Sequence, residues 1–163
     1  EMSHGFDDQG CQYDKNGNLN NWWTAEDKSN YDKRTKVLAD WFSTQEVLPG
    51  LKVNGEKTLG ENIGDNGGIN VAFRAFENAI KKNPLENKDG FTPEQRFFLA
   101  YRRIWASNIA PQFVAYIVNS DTHSPNIARV NGALPMIDAW YDTFSIQQGD
   151  KLYVPIEKRA HIW

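Results

Sequence analysis

One apolar stripe does most to limit how this chain can fold. Between about Leu59 and Lys82, the residues Ile69, Phe73, Phe76 and Ile80 recur at intervals of four, three and four. That spacing stacks side chains on one face of an α-helix. A helix of this length cannot bury such a face alone, so neighbouring helices must cover it, and the chain supplies several. Trp22-Trp23-Thr24 introduces a helix with Thr24 or Ser29 as N-cap, carrying Tyr31, Val37, Leu38, Trp41 and Phe42. Thr92-Pro93-Glu94-Gln95 combines a cap, a first-turn proline and an acidic start, and opens a helix through Phe97, Phe98, Tyr101, Ile104 and Trp105. A further helix begins near Pro111, and a last one runs from Leu134 to Phe144, with Ser120 to Asn131 irregular between them. Only Val53-Asn54-Gly55-Glu56 carries a strand signal, since Asn-Gly between short extended segments marks a two-residue hairpin. The tail Leu152-Tyr153-Val154-Pro155 reads as extended. The expectation is a mainly α protein with one short β-hairpin.

Composition narrows the partners. A chain of 163 residues without repeats or an internal linker is expected to form a single unit over 1–163. Its net charge of -3 gives no electrostatic basis for binding nucleic acid or an anionic membrane. No apolar run approaches the ~20 residues that span a bilayer, so no membrane contact is expected from this segment. Aromatic residues reach 13% with six Trp, enough to build both a core and pocket walls. The lone Cys11 excludes an internal disulfide framework.

Three stretches carry chemistry. Glu1-Met2-Ser3-His4-Gly5-Phe6-Asp7-Asp8 reads as the tail of the helical motif His-Glu-x-x-His, whose two His hold one zinc while the Glu acts as general base. No residue precedes Glu1 in the sequence, so the first His of such a motif is missing. The second stretch places Glu61 and Asp65 four apart on one helix face. They are either two solvated carboxylates or, at the polar entrance of a helix that turns apolar, a zinc ligand and a carboxylate that accepts the outer N–H of a ligand His. The third is Asp121-Thr122-His123-Ser124-Pro125 followed by Arg129. His123 is either a solvated turn residue or, oriented by Asp121, a donor to a developing oxyanion, with Arg129 gripping a backbone carbonyl or carboxylate. The Asp14 to Asn18 turn superficially suggests a calcium loop, but it lacks the Gly and terminal Glu at the required offsets.

Together, Glu1 to Asp8, the run Gly60-Glu61-Asn62-Ile63-Gly64-Asp65-Asn66-Gly67-Gly68 and Asp121 to Pro125 resemble the neprilysin-like zinc metallopeptidases. That family includes neprilysin, the endothelin-converting enzymes and bacterial PepO-type oligopeptidases. Asn18 to Thr24 and the closing Glu157-Lys158-Arg159 to Ile162-Trp163 are similar to it as well, so the likeness covers essentially the whole chain. It departs in having Gly64 where the family usually has Ala, and Ala106 and Trp163 where vertebrate members carry cysteines.

The resemblance implies a zincin-like helical C-terminal portion of a metallopeptidase catalytic domain. Glu1 would be the general base, His4 and Glu61 zinc ligands, and Asp65 the carboxylate steadying a ligand His. His123 would serve the transition state, Arg129 would contact the substrate backbone, and Ile104 and Trp105 would line the pocket for the side chain after the scissile bond, unless they are plain core. It further implies a zinc-dependent endopeptidase acting on oligopeptides, with one zinc ion per site. Its partners would be peptide substrates and the remainder of the parent chain. Its location would be the cell envelope, periplasm or exterior, in a bacterial enzyme. Any targeting segment is expected upstream of Glu1. Without the first His the segment alone is expected to be inactive and to bind zinc weakly or not at all. The alternative is a non-catalytic helical module that binds peptide or protein on the same scaffold.

Overall fold

Thr24 and Thr92 each begin a helix with a complete capping box in the computed structural model, which describes residues 1–162. Trp163, part of the closing Ile-Trp pair, lies outside the described residues. The Thr24 side chain accepts from the Asp27 backbone N–H and the Asp27 carboxylate returns the contact, opening α1 (Ala25–Thr44). Thr92 and Gln95 do the same for α3 (Pro93–Ile104), where Pro93 costs nothing because a first-turn N–H has no helical partner. Between them lies α2 (Leu59–Lys82), over the span that the apolar stripe defines.

Packing follows the stripe and then departs from it. Ile69 and Phe73 are buried, whereas Phe76 and Ile80 are only half-buried, so the core covers the first two-thirds of α2 and releases its end. Leu38 and Phe42 of α1 and Ile63 of α2 are fully shielded beside Phe98 of α3, Met136 and Ile137. Phe73 stacks on Phe98 with centroids 5.0 Å apart, and Phe97 meets Phe73 edge-on at 5.2 Å. The dense aromatics therefore serve mainly as core.

The hairpin forms, but its turn lies five residues before the Asn54-Gly55 signal. β1 (Glu46–Leu48) pairs antiparallel with β2 (Leu51–Lys52) around Pro49-Gly50. Gly50 takes a φ of +75°, the left-handed geometry that a type II turn, with proline in second place, requires of its third residue. Asn54-Gly55 instead begins the turn into α2. The Asn54 side chain accepts from Lys57 N–H at 3.0 Å, and Gly55 N–H donates to Ser43 Oγ at 3.2 Å, which seats Gly55 against α1 and leaves no room for a partner strand.

Three further expectations need correction. Ser120 to Asn131 is not irregular throughout: α4 (Pro111–Ser120) ends at its start, and α5 (Asn126–Asn131) follows Pro125, which can serve as the residue before a first helical turn. The final helix is divided, with a 3-10 turn at Leu134–Met136 and then α6 (Asp138–Phe144), because Ile137 between them is extended at φ -112° and ψ 108°. The extended tail begins only after Leu152, which has a φ of +69°.

Candidate metal and catalytic site

The first turn of the chain is a 3-10 helix, Met2–Phe6, and it lies against α2. What holds it there is Asp7. This buried carboxylate accepts the backbone N–H groups of Gln9 and Gly10 at 2.9 and 2.7 Å on one oxygen, and His4 Nδ1 at 2.7 Å on the other. Gly60 lets α2 come close, since a β-carbon there would stand 2.9 Å from Asp8 Oδ1 and 3.1 Å from Asp7 Oδ2. Gly64 likewise faces the His4 ring. Gly60 thus weakens the helix where it admits the N-terminal turn, whereas a β-carbon at Gly64 would make only ordinary contact with the His4 ring at 3.7 Å and one at Gly68 would meet nothing.

With Nδ1 committed to Asp7, His4 turns Nε2 toward Glu61 Oε2, 3.6 Å away. The same Glu61 oxygen lies 3.1 Å from His123 Nε2. His123 is built in parallel: its Nδ1 is 2.8 Å from Asp121 Oδ1, which also accepts the His123 backbone N–H at 2.9 Å. Each imidazole is therefore fixed by an aspartate at Nδ1 and aims Nε2 at one carboxylate. The hydrogen bond with Asp7 raises the pKa of His4, burial opposing and the Glu61 charge assisting. Hydrogen bonds from the His123 backbone and ring hold Asp121 below the usual carboxylate range.

Asp65, one turn beyond Glu61, is engaged by Arg129. The guanidinium donates from Nε and Nη2 to the two carboxylate oxygens, both at 2.8 Å. It also lies over the Trp105 ring, 3.9 Å from the centroid. Burial works against the Arg129 charge, and Asp65 more than offsets it, raising the pKa. Tyr101 donates to the Arg129 backbone carbonyl at 2.9 Å, and burial pushes its phenol pKa well up. Ile104 is 70% exposed, so it is not core, whereas Trp105 is half-buried under the guanidinium.

Glu1 is exposed, and its carbonyl accepts from His4 N–H at 3.1 Å, so it stands one turn before the imidazole. The site thus gathers His4, Glu61, Asp65, His123 and Arg129 from the N-terminal turn, α2, the α4–α5 loop and α5. The carboxylate nearest His4 Nδ1 is Asp7, to which the motif assigns no role of its own. Its place three residues after His4, hence on the same face of a helical turn, was the available signal.

Would these residues suit zinc? Two ligand atoms at about 2.0–2.2 Å from a tetrahedral zinc stand roughly 3.3 Å apart. His4 Nε2 and Glu61 Oε2, at 3.6 Å, need little movement to meet that spacing, and the free Nε2 backed by an aspartate is the usual preparation of a ligand His. The pair fits one edge of a zinc site. Among the described residues no group of three His, Cys, Asp or Glu is placed to hold a metal ion.

The His4–Glu61 pair, with His123 and Arg129 beside it, thus sits on a mainly helical scaffold. Residues 1–160 match the profile of peptidase family M13, and the chain belongs to that family. It is 37% identical to human endothelin-converting enzyme 1 over 166 residues, covering all of this chain and 21% of that protein. It is 33% identical to human neprilysin over 168 residues, covering all of this chain and 22% of that protein. Its fold superposes on the zinc metalloprotease ZMP1 of Mycobacterium tuberculosis in complex with an inhibitor, with a TM-score of 0.93, 37% identity, and coverage of 100% of this chain and 26% of that one. The corresponding values for PepO from Lactobacillus rhamnosis are 0.85, 37%, 100% and 24%. The chain spans about a fifth of the length of the curated relatives it matches.

Proposed function

We propose that this chain carries the C-terminal part of the catalytic domain of a zinc-dependent endopeptidase that hydrolyses oligopeptides. The observation supporting it most is the convergence of two aspartate-backed imidazoles on Glu61 beside a clamped Arg129. His4 Nε2 and the Glu61 carboxylate would hold the metal. Zinc, when bound, supplies Lewis-acid polarisation of the scissile carbonyl and acidifies a water toward neutral pH.

The chain's own residues do the rest. Glu1, one turn before His4, takes the proton of the attacking water and returns it to the leaving amine. His123 donates from Nε2 to the oxyanion, its ring oriented by Asp121 Oδ1 2.8 Å from Nδ1. Arg129 commits Nε and Nη2 to Asp65, which leaves its remaining N–H donors for a substrate carbonyl. Ile104, exposed next to Trp105, contacts the side chain after the scissile bond. Peptides and the remainder of the parent chain are the partners. A cell-envelope, periplasmic or extracellular location in a bacterium completes the reading. No helix among the described residues is long and apolar enough to cross a membrane.

In the full-length protein, hydrolysis of a fluorogenic peptide should be abolished by a chelator and restored by zinc. Glu1→Gln should lower kcat by roughly 10²–10⁴-fold with zinc retained. Wild-type rates in Glu1→Gln would contradict the assignment. Among the described residues too few ligands stand together to fix the ion, so the 163-residue chain alone is expected not to turn over; chelator-sensitive hydrolysis by it would overturn that part.

A further inference from the structure

Three contacts tie α2 to the segment running from Asp121 into α5: Glu61 to His123, Asn62 to Ser124, and Asp65 to Arg129. The outer two join ionisable side chains and are partly open to solvent. The middle one differs in kind. Asn62 is 1% and Ser124 2% exposed, and Ser124 Oγ donates to Asn62 Oδ1 at 2.8 Å. Asn62 Nδ2 donates to Thr58 Oγ1 at 2.9 Å, and Thr58 Oγ1 donates to Asn54 O at 3.0 Å. The result is a polar chain, buried from Thr58 to Ser124 and open only at its Asn54 end, that runs from the loop before α2 to the residue after His123.

A buried hydrogen bond adds modest net stability but is costly to leave unmade. Any rotation of α2 or slip of the 121–125 loop leaves Asn62 Oδ1 or the Ser124 hydroxyl unpaired among Leu59 and Ile63, both buried. Only one register satisfies the chain, and in that register His123 Nε2 stands 3.1 Å from Glu61. Pro125, also buried, then offers its carbonyl to Ala128 and Arg129 N–H at 2.8 and 3.1 Å, so the same anchor sets the start of α5.

We propose that Asn62 and Ser124 are positioning residues, a latch that sets the His123 imidazole against the Glu61 carboxylate without touching substrate. The proposal rests on the reading of His123 as the oxyanion donor. In the full-length enzyme, Ser124→Ala should lower kcat per bound zinc by about tenfold or more, as small misplacements of catalytic groups do. KM and zinc content should stay within about twofold, and affinity for a phosphinic transition-state mimic should fall in proportion to kcat. In a His123→Gln background the same substitution should change kcat by less than about twofold, because its effect passes through His123. An equal loss in both backgrounds, or unchanged kcat per zinc, overturns the latch. Ser124→Cys, which keeps a weak donor, should recover part of the loss and serves in place of Ser124→Ala if that variant does not fold. A crystal structure of the Ser124→Ala protein reads the latch without activity: His123 displaced from Glu61 supports it, and an unmoved ring overturns it. If His123→Gln is as active as wild type, the oxyanion assignment fails while the structural readout still decides the latch.

Discussion

Asp7 shows how much a single side chain can set. Three donors converge on it, and through His4 Nδ1 it determines which imidazole nitrogen faces Glu61. Asp7→Ala frees the ring to rotate and removes the partner that favours a free Nε2. Zinc affinity of the full-length protein should fall about 10–100-fold, as it does when such outer partners are lost, and chelator competition measures it. Asp8, its neighbour, is in the opposite position. Its Oδ1 is buried with no hydrogen-bond partner, and burial, then the Asp7 charge, raises its pKa. A carboxyl whose folded pKa lies above its unfolded value costs stability on ionising, and the cost grows as pH rises from the unfolded pKa through the folded one. Asp8→Asn should therefore be more stable than wild type at neutral pH, with the advantage disappearing in acid. Denaturation curves at several pH values check this; a gap independent of pH would show that the charge is not its source.

Among the elements, those with local stop and start chemistry were the legible ones. Thr92→Ala removes the cap of α3 and should cost about 1 kcal/mol. Phe98→Ala, at the centre of the aromatic cluster, should cost about 3–5 kcal/mol. Both are read by denaturant unfolding, and the cap change should be clearly the smaller. The bounds of α2 follow from the period and the starts of α3 and α4 from Thr92 and the prolines at 93 and 111. The hairpin was displaced because Asn54-Gly55, a strong hairpin signal alone, is recruited by Ser43 of α1, a tertiary contact that no local pattern announces. The short α5 went unread for a similar reason: six residues carry too little periodicity, and its anchor is the buried Ser124 before it.

For the molecule as a whole, the candidate site is a meeting of segments far apart in sequence. Residue types and motif spacing nominated His4, Glu61, Asp65, His123 and Arg129, and folding brings them together on one side of α2. The pairing among them was not legible. That Asp65 binds Arg129, that Trp105 underlies the guanidinium and that Asn62 reaches Ser124 all depend on how α3, the 121–125 loop and α5 cross α2. Such crossings are set by core volume around Phe98 and Ile63, which a linear reading cannot sum. The central claim is that His4 and Glu61 form one edge of a zinc site. Its most direct test is the zinc content of the full-length protein after dialysis, compared with Glu61→Ala. The account predicts about one zinc per chain in the wild type and a near-complete loss in the variant at equal folded fraction. Stoichiometric zinc held by Glu61→Ala with unchanged affinity would contradict it.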